Sequence, residues 1–485
     1  MYTRRQFFAL ALSAVILLIT HLASSAITYR IGFPLDDAWI HQTYARNLAT
    51  YGEWSFVPGQ PSAGSTSPLW TMLLWAGFFL PYPPYFWTFF LGTVLLISTG
   101  WLVETIVRTH VPGYAPSLPW AGIFCMLEWR LSWLAFSGME TLLHNLLITF
   151  FFGLLLKGNR HYALLGSLIG ISAWVRPDGM TLIGPAVLYV LISENANLLR
   201  LRGLLILTLG VVVFSLPYAW FNLTLSNSLW PSTFYAKQQE YAAWQSLPLV
   251  QRLWSSITVF LAGPSLLLVW GVVYQTLTEI RQRRWETSLI VLWITGYIAL
   301  YALRLPPYQH GRYLMPTLGI FLPLGLIGTL RFISALPKHR QEFFQRLSVA
   351  LLTALSLSFL LFGAFTYGQD VAFIESEMVD TARWVNENLP ASARIAAHDI
   401  GALGYFTERT IIDLAGLISP EIIPFMRNEQ RLADYLSTQN VDYLIVFPGW
   451  YQTLPNNKPM VYQSKGNFSA ETVLGNMAIY QWTIP

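Results

Sequence analysis

The chain has 485 residues, 54% of them hydrophobic and 11% charged, against about 25% charged residues in soluble domains. One soluble core cannot hide that much apolar surface, so lipid is the expected solvent for most of it. A net charge of +4 without a dense Lys/Arg stripe speaks against a nucleic-acid surface, and the single cysteine, Cys125, excludes a disulfide framework or a Cys-based metal site.

Arg4 and Arg5 precede an apolar run over 6–27. The run exceeds the h-region of a cleaved signal peptide, and many more apolar runs follow. The prediction is a signal-anchor helix with its amino terminus inside. A polar stretch over 33–70 comes next and opens with adjacent acids, Asp36 and Asp37. Residues 68–80 are apolar but too few to cross about 30 Å of hydrocarbon, so they are expected to lie at the interface. Spans are then expected at 85–107, 118–136, 139–156, 162–174 with 180–192, 204–221, 253–277, 288–303, 313–330 and 347–365. That makes about eleven crossings, with 162–192 readable as one hairpin broken at Arg176-Pro177-Asp178-Gly179.

Basic residues at Arg108, Lys157–Arg160, Arg200–Arg202, Arg281–Arg284 and Arg331–Arg346 fall on alternate connections, which the positive-inside rule puts on the cytoplasmic side. The remaining connections, 28–84, 137–138, 176–179, 222–252 and 304–312, then face outward with the carboxyl-terminal part. From 367 onward, apolar runs shorten to strand length at 395–397, 410–412, 443–447 and 477–482. Helical stretches at 371–388 and 429–439 alternate with them, as in a small α/β domain. The predicted architecture is an α-helical polytopic membrane protein with a small extracytoplasmic α/β domain: a membrane domain over 1–366, including a first outer loop at 28–84, and the α/β domain over 367–485. The expected location is the plasma or inner membrane.

The outward connections collect the unusual residues: Asp36, Asp37, His41, Tyr44 and Arg46 in the first, then Glu140, then Arg176 and Asp178, then Lys237, then His310, Arg312 and Tyr313. Charges at membrane level are costly and mark function. Acids from early loops and bases from later ones suit one cavity for an anionic ligand. No GxGxxG or P-loop is present. Outside a membrane, an activated sugar has to arrive as a lipid-linked phosphate. Transfer from it needs a carboxylate to take the acceptor proton and cations to hold the departing phosphate.

The run DDAWIHQTYARNL at 36–48 with TSPLW at 66–70, SGMET at 137–141, RPDG at 176–179, PSTFYAK at 231–237 and HGRYLMP at 310–316 resembles, block by block and in order, the polytopic GT-C glycosyltransferases. The bacterial arabinofuranosyltransferase-like members are the nearest in pattern. The resemblance implies that an Asp of the first loop is the base, a role that carries over to Asp36 or Asp37. It leaves the sugar open. The residue reading assigns the donor phosphate to Arg312, His310, Lys237 and Tyr313, and a substrate pocket to His41, Tyr44, Arg46, Glu140, Arg176 and Asp178. The partners are the lipid bilayer, a polyprenyl-phosphate-linked sugar donor and a glycan, lipid or protein acceptor, with no nucleic acid.

Plainer roles compete at each position. Asp36 or Asp37 can cap the helix expected from Ala38, or the two can bind a divalent cation such as Mg, Mn or Ca. Glu140 can serve a helix dipole, Arg176 can simply pair with Asp178, and Arg46 and Arg312 can be interfacial anchors. His398 and Asp399 read as a loop and a cap. The rival functions are a transporter or lipid flippase, and a non-catalytic cell-envelope assembly protein.

Overall fold

The computed structural model describes residues 4–468 and 475–482; the first three residues of the expected amino-terminal segment lie outside that range. Among the described residues, six helical stretches are long and apolar enough to cross a membrane: Arg4–Thr28, Pro84–His110, Asn197–Ser226, Glu286–Arg304, Tyr308–Ala335 and Lys338–Asn388. A further pair, Leu249–Leu261 and Ser265–Arg281, is long and apolar enough only when taken together and is bent by 100°, as in a broken span or a re-entrant loop. Shorter apolar helices fill the space between them.

In chain order the helices are α1 (Arg4–Thr28), α2 (Asp37–Tyr51), α3 (Pro68–Trp75), α4 (Pro84–His110), α5 (Trp120–Met126), α6 (Trp129–Ala135), α7 (Thr141–Leu156), α8 (Tyr162–Val175), α9 (Ile183–Ser193) and α10 (Asn197–Ser226). They continue with α11 (Ser232–Glu240), α12 (Leu249–Leu261), α13 (Ser265–Arg281), α14 (Glu286–Arg304), the single turn α15 (Tyr308–Gly311), α16 (Leu318–Ala335), α17 (Lys338–Phe373), α18 (Asp380–Asn388), α19 (Gly401–Thr407) and α20 (Glu429–Thr438).

Several expected spans are not continuous helices. The stretch at 118–136 is split into α5 and α6 at Glu128. The Glu128 side chain turns back to accept from the backbone N–H of Arg130 (2.9 Å) and Leu131 (3.1 Å) and starts a new helix. Arg130, paired to Glu128 at 2.7 Å, donates to the carbonyls of Val259 and Phe260 at the end of α12. A buried ion pair therefore breaks one expected span and pins the end of another. The stretch at 253–277 bends where Gly263 adopts φ +119° ahead of Pro264. The break around 176–182 is present as a turn of 3₁₀ helix between α8 and α9, and the interfacial segment over 68–80 is the short α3 with one further turn.

The helices approach closely at glycines. A Cβ on Gly328 of α16 would lie 1.8 Å from the Gly271 carbonyl of α13, and one on Gly166 of α8 would lie 2.2 Å from the Leu207 carbonyl of α10. Without a hydrophobic drive between helices in lipid, such backbone contact is what holds them. Large apolar residues on the outside, such as Ile27, Leu205 and Leu361, stay exposed.

The expected boundary after residue 366 falls inside α17. That helix continues through a π-helical turn over Ile374–Val379 into α18, so the predicted helix 371–388 is the end of a membrane helix rather than a separate element. Buried Glu375 in that turn is held by Arg30 at 2.5 Å. Beyond it, β3 (Arg394–Ala397), β4 (Thr410–Asp413), β5 (Tyr443–Val446), β6 (Met460–Gln463) and β7 (Ala478–Gln481) form one sheet in the order β4-β3-β5-β7-β6. (β1 and β2 are a small hairpin, Ser55–Val57 with Gln60–Pro61.) β4, β3 and β5 are parallel; β7 and β6 are antiparallel additions. The sequence reading missed β6, whose residues are exposed and carry no apolar alternation.

Gly328→Ala is expected to force α13 and α16 apart at a cost of about 1–3 kcal/mol, lowering the thermal midpoint of the purified protein in detergent. Gly296→Ala, where a new Cβ meets open space, leaves the midpoint unchanged. Equal midpoints for both variants would show that the contact does not matter.

Candidate functional site

The first loop is fixed at both ends. Arg30, just past α1, bonds Glu375 and Asp380, and Trp70 donates to the carbonyl of Gly138. Between them α2 starts at Asp37. Asp36 makes no side-chain cap to its own helix. Instead its two carboxylate oxygens accept from the backbone N–H of Gly401 (2.7 Å) and Ala402 (2.8 Å), at the start of α19 in the carboxyl-terminal part. The expected cap of the helix that follows is absent; the carboxylate binds the start of a helix 365 residues away, where the tertiary fold brings those N–H groups to it.

Asp37 points elsewhere. Its Oδ2 accepts from Arg312 at 2.8 Å and lies 3.4 Å from Lys237 Nζ. Burial pushes this carboxyl up, but the two cations outweigh burial and hold it well below the ordinary carboxylate range. The neighbouring Asp36 goes the other way. Burial first, then the charge of Asp399, push it up to about 7 against the pull of its two backbone N–H partners.

Arg312 is 2% exposed and uses only one of its three guanidinium nitrogens, on Asp37 and the Tyr313 hydroxyl. Its Nε and Nη1 are buried without a hydrogen-bond partner. A buried guanidinium with free donors is a site short of an anion.

These groups border a cavity of about 320 Å³. Asp37, His41, Glu140, Arg176, Asp178, Lys237, Arg312 and Tyr313 all line it, so the structure brings together eight of the residues singled out from sequence. Arg176 bonds Glu140 at 2.8 Å and Asp178 at 3.1 Å, and Glu140 lies 3.4 Å from His41 Nε2. The plain pairing of Arg176 with Asp178 is thus present, inside a larger chain of charges. The rings of Tyr313 and Tyr301 stack at 5.5 Å, with Arg176 and Arg312 both within 5.4 Å of the Tyr313 ring.

Three expected site residues are elsewhere. His310 bonds Asp370 at 2.8 Å and sits against Trp129 and Trp133, away from the cavity. Gln309 and His310 take left-handed backbone (φ 52° and 60°), which turns the chain between His310 and Arg312. Tyr44 is buried in the loop itself, bonded to Ser62 and to the N–H of Gly64. Arg46 donates to the carbonyls of Tyr405 and Gly404 and holds the end of α19. Three other residues were missed. Tyr301 donates to Asp178 at 2.5 Å, Tyr297 bonds the same oxygen, and His144 lies 3.6 Å from Asp178. Their signals were a Tyr pair spaced by four and a histidine inside an apolar run.

Among the described residues, no group of three or more His, Cys, Asp or Glu is arranged to hold a metal ion. Asp37 is committed to cations and Asp36 to backbone N–H groups, so the adjacent acids do not present the open oxygen cage a divalent ion takes.

The fold is that of the GT-C membrane glycosyltransferases. ArnT from Cupriavidus metallidurans bound to undecaprenyl phosphate superimposes with a TM-score of 0.60 at 12% identity, over 97% of each chain. The Archaeoglobus fulgidus oligosaccharyltransferase in complex with Zn and sulfate gives 0.58 at 13% identity, over 90% of this chain and 67% of that one. The mycobacterial arabinofuranosyltransferase AftD gives 0.52 at 16% identity, over all of this chain and 42% of the other. A family profile described as a domain of unknown function (DUF8728) matches residues 367–484. No curated protein sequence matches the chain. The family resemblance read from the sequence blocks is borne out at the level of fold.

Glu140→Ala leaves Arg176 and His41 short of a buried partner. Breaking a buried ion pair costs about 3–5 kcal/mol, and because Asp178 remains, the loss is expected near the lower end. Denaturant or thermal melting in detergent reads it; an unchanged midpoint would mean that Glu140 is not part of the structural charge chain.

Proposed function

We propose that the chain is an integral membrane glycosyltransferase that moves a sugar from a polyprenyl-phosphate donor to an extracytoplasmic acceptor. One observation carries this reading: buried Arg312, with two unused donors, meets Lys237 and Asp37 beside one cavity, with Asp36 next to Asp37 in the chain. The GT-C fold supports it, and ArnT with undecaprenyl phosphate is an example of such a ligand on this fold.

The residues divide the work. Arg312 and Lys237 bind the donor phosphate, with the Tyr313 hydroxyl beside them. Asp37 holds both cations in place while the site is empty, and a phosphate competes for them. Asp36, pushed up to about 7, is poised as the base, because a base works best with a pKa near the operating pH. It takes the proton from the acceptor hydroxyl. The hydroxyl oxygen forms its bond to the anomeric carbon as the carbon–oxygen bond to phosphate breaks. The bonding pair leaves on the phosphate oxygen, where Arg312 and Lys237 stabilise the charge. A single displacement of this kind inverts the anomeric centre. No step is routed through a metal.

In this reading residues 1–366 form the catalytic membrane domain and 367–485 the extracytoplasmic domain. The amino terminus is cytoplasmic, and the loop over 28–84 meets the site from the outer side of the cell membrane.

Transfer is measured in membranes with radiolabelled polyprenyl-phosphate sugars. Asp36→Asn is expected to lower kcat by about 10²-fold or more. Arg312→Gln is expected to weaken undecaprenyl phosphate binding by at least about tenfold. Because Asp36 acts ionised and its pKa lies near 7, kcat/KM rises with pH up to about 7 and is level above it. Wild-type rates in both Asp36→Asn and Asp37→Asn remove the mechanism.

A further inference from the structure

A second cavity of about 150 Å³ lies on the far side of the Asp37–Arg312 contact. Asp37, Lys237, Arg312 and Tyr313 line both cavities and form the partition between them. The smaller cavity adds groups that the larger one lacks: Asp36, Glu240, His398, Asp399, Tyr241 and Trp450. None of the last five was given a part in binding or transfer above.

We infer that the smaller cavity is the acceptor subsite and that the acceptor presents a sugar ring to it, the partition of Asp37, Arg312 and Lys237 separating that ring from the donor. The inference rests on the glycosyl-transfer reading and deepens it, by choosing a carbohydrate among the acceptor classes left open.

The lining chemistry makes the choice. Asp36, Glu240 and Asp399 supply carboxyl groups from three separate elements, each with oxygens able to accept hydrogen bonds. A polyol meets both kinds of wall at once, its hydroxyls donating to the carboxyl groups and accepting from Arg312, Lys237 and His398, which line the same cavity. His398 Nδ1 and Asp399 Oδ2 are buried, 3.7 Å apart, and neither makes a hydrogen bond. The His398 side chain is 10% exposed, so its orphaned nitrogen belongs to the cavity wall rather than to solvent. The two face each other at ion-pair distance, too far for a hydrogen bond, so each keeps capacity for a ligand hydroxyl. Trp450 stacks one face on His398 at 4.4 Å and keeps 40% of its surface exposed. An indole with a free face is a platform for the C–H side of a sugar ring, apolar there and polar at its rim. The volume takes one small ring, not a peptide segment or a lipid chain.

The position agrees with the chemistry. Asp36 lines this cavity and not the larger one. A hydroxyl held here gives its proton to Asp36, and its oxygen reaches the anomeric carbon once the donor phosphate takes Arg312 and Lys237 from Asp37 and opens the partition. Glu240 closes α11, three residues after Lys237, so one helix serves both ligands.

The test uses the full chain in detergent and saturation-transfer NMR, with methyl pentosides and methyl hexosides in furanose and pyranose forms as probes. The wild type is expected to saturate at least one of them. Trp450→Ala and Glu240→Gln are each expected to weaken that binding about tenfold, while saturating undecaprenyl phosphate leaves it in place. Trp450 sits on an exposed turn, so its variant folds. The inference is overturned if no glycoside is saturated, if both variants bind as the wild type does, if undecaprenyl phosphate displaces the sugar, or if ethanolamine or Mg²⁺ occupies the Glu240-dependent site instead. Its failure is distinct from failure of the enzymatic reading. Transfer without glycoside binding here sinks the subsite alone, and glycoside binding without transfer by the wild type sinks the glycosyltransferase.

Discussion

The contact between Asp37 and the cations Arg312 and Lys237 is the constraint on which the site depends. It joins residues 275 and 200 positions apart in the chain. An arginine at 2% exposure needs a partner, because an unpaired buried charge is expensive. Asp37 is that partner, and it is delivered by a loop tied down at both ends. The contact therefore sets where α2 begins, how α11 lies against it, and where the chain turns into α16. It also decides what the cavity can accept. With Nε and Nη1 unused, Arg312 attracts an anion, and an anion there loosens the hold on Asp37. The resting site is a charge balance waiting to be re-drawn by a ligand.

Parts of this were legible in the sequence because charge in an apolar chain is conspicuous. Asp37, Glu140, Arg176, Asp178, Lys237 and Arg312 stood out as costly residues on connections, and the structure gathers them in one cavity. The breaks in the helices were not legible. Glu128 looks like one stray acid in an apolar run until Arg130 and the carbonyls of Val259 and Phe260 supply its tertiary reason. His310 was misassigned for a related cause. Two residues from Arg312 in a loop, it seemed to share its role, but the left-handed turn at Gln309 and His310 separates them and Asp370 captures the ring. Arg46 was placed in the substrate pocket or at the interface, yet its destination, the end of α19, lies in a part of the chain that no local pattern connects to it.

That destination shows that the carboxyl-terminal part is not an appendage. α17 runs into it without a break, Arg30 of the first loop is held by Glu375 in the π-helical turn, and Arg46 and Asp36 grip opposite ends of α19. A Cβ on Gly401 would lie 2.1 Å from the Asp36 carbonyl, so only glycine lets the two backbones come this near. The acid-bearing loop is clamped between the membrane helices and the α/β part, and each side fixes one carboxylate.

Two acids in sequence at the start of a helix cannot face the same way. Successive residues on a helix differ in direction by about 100°, so Asp36 and Asp37 are obliged to look into different surroundings. One meets Arg312 and Lys237 and stays ionised; the other meets Asp399 and two backbone N–H groups and binds its proton near neutrality. Adjacent carboxyls driven apart in this way are the usual arrangement when one must hold charge and the other must move a proton. The same 100° also explains why one cavity would not suffice. A pair of neighbouring acids set on a helix end opens onto two spaces with a shared wall, so each carboxyl keeps its own surroundings and its own charge.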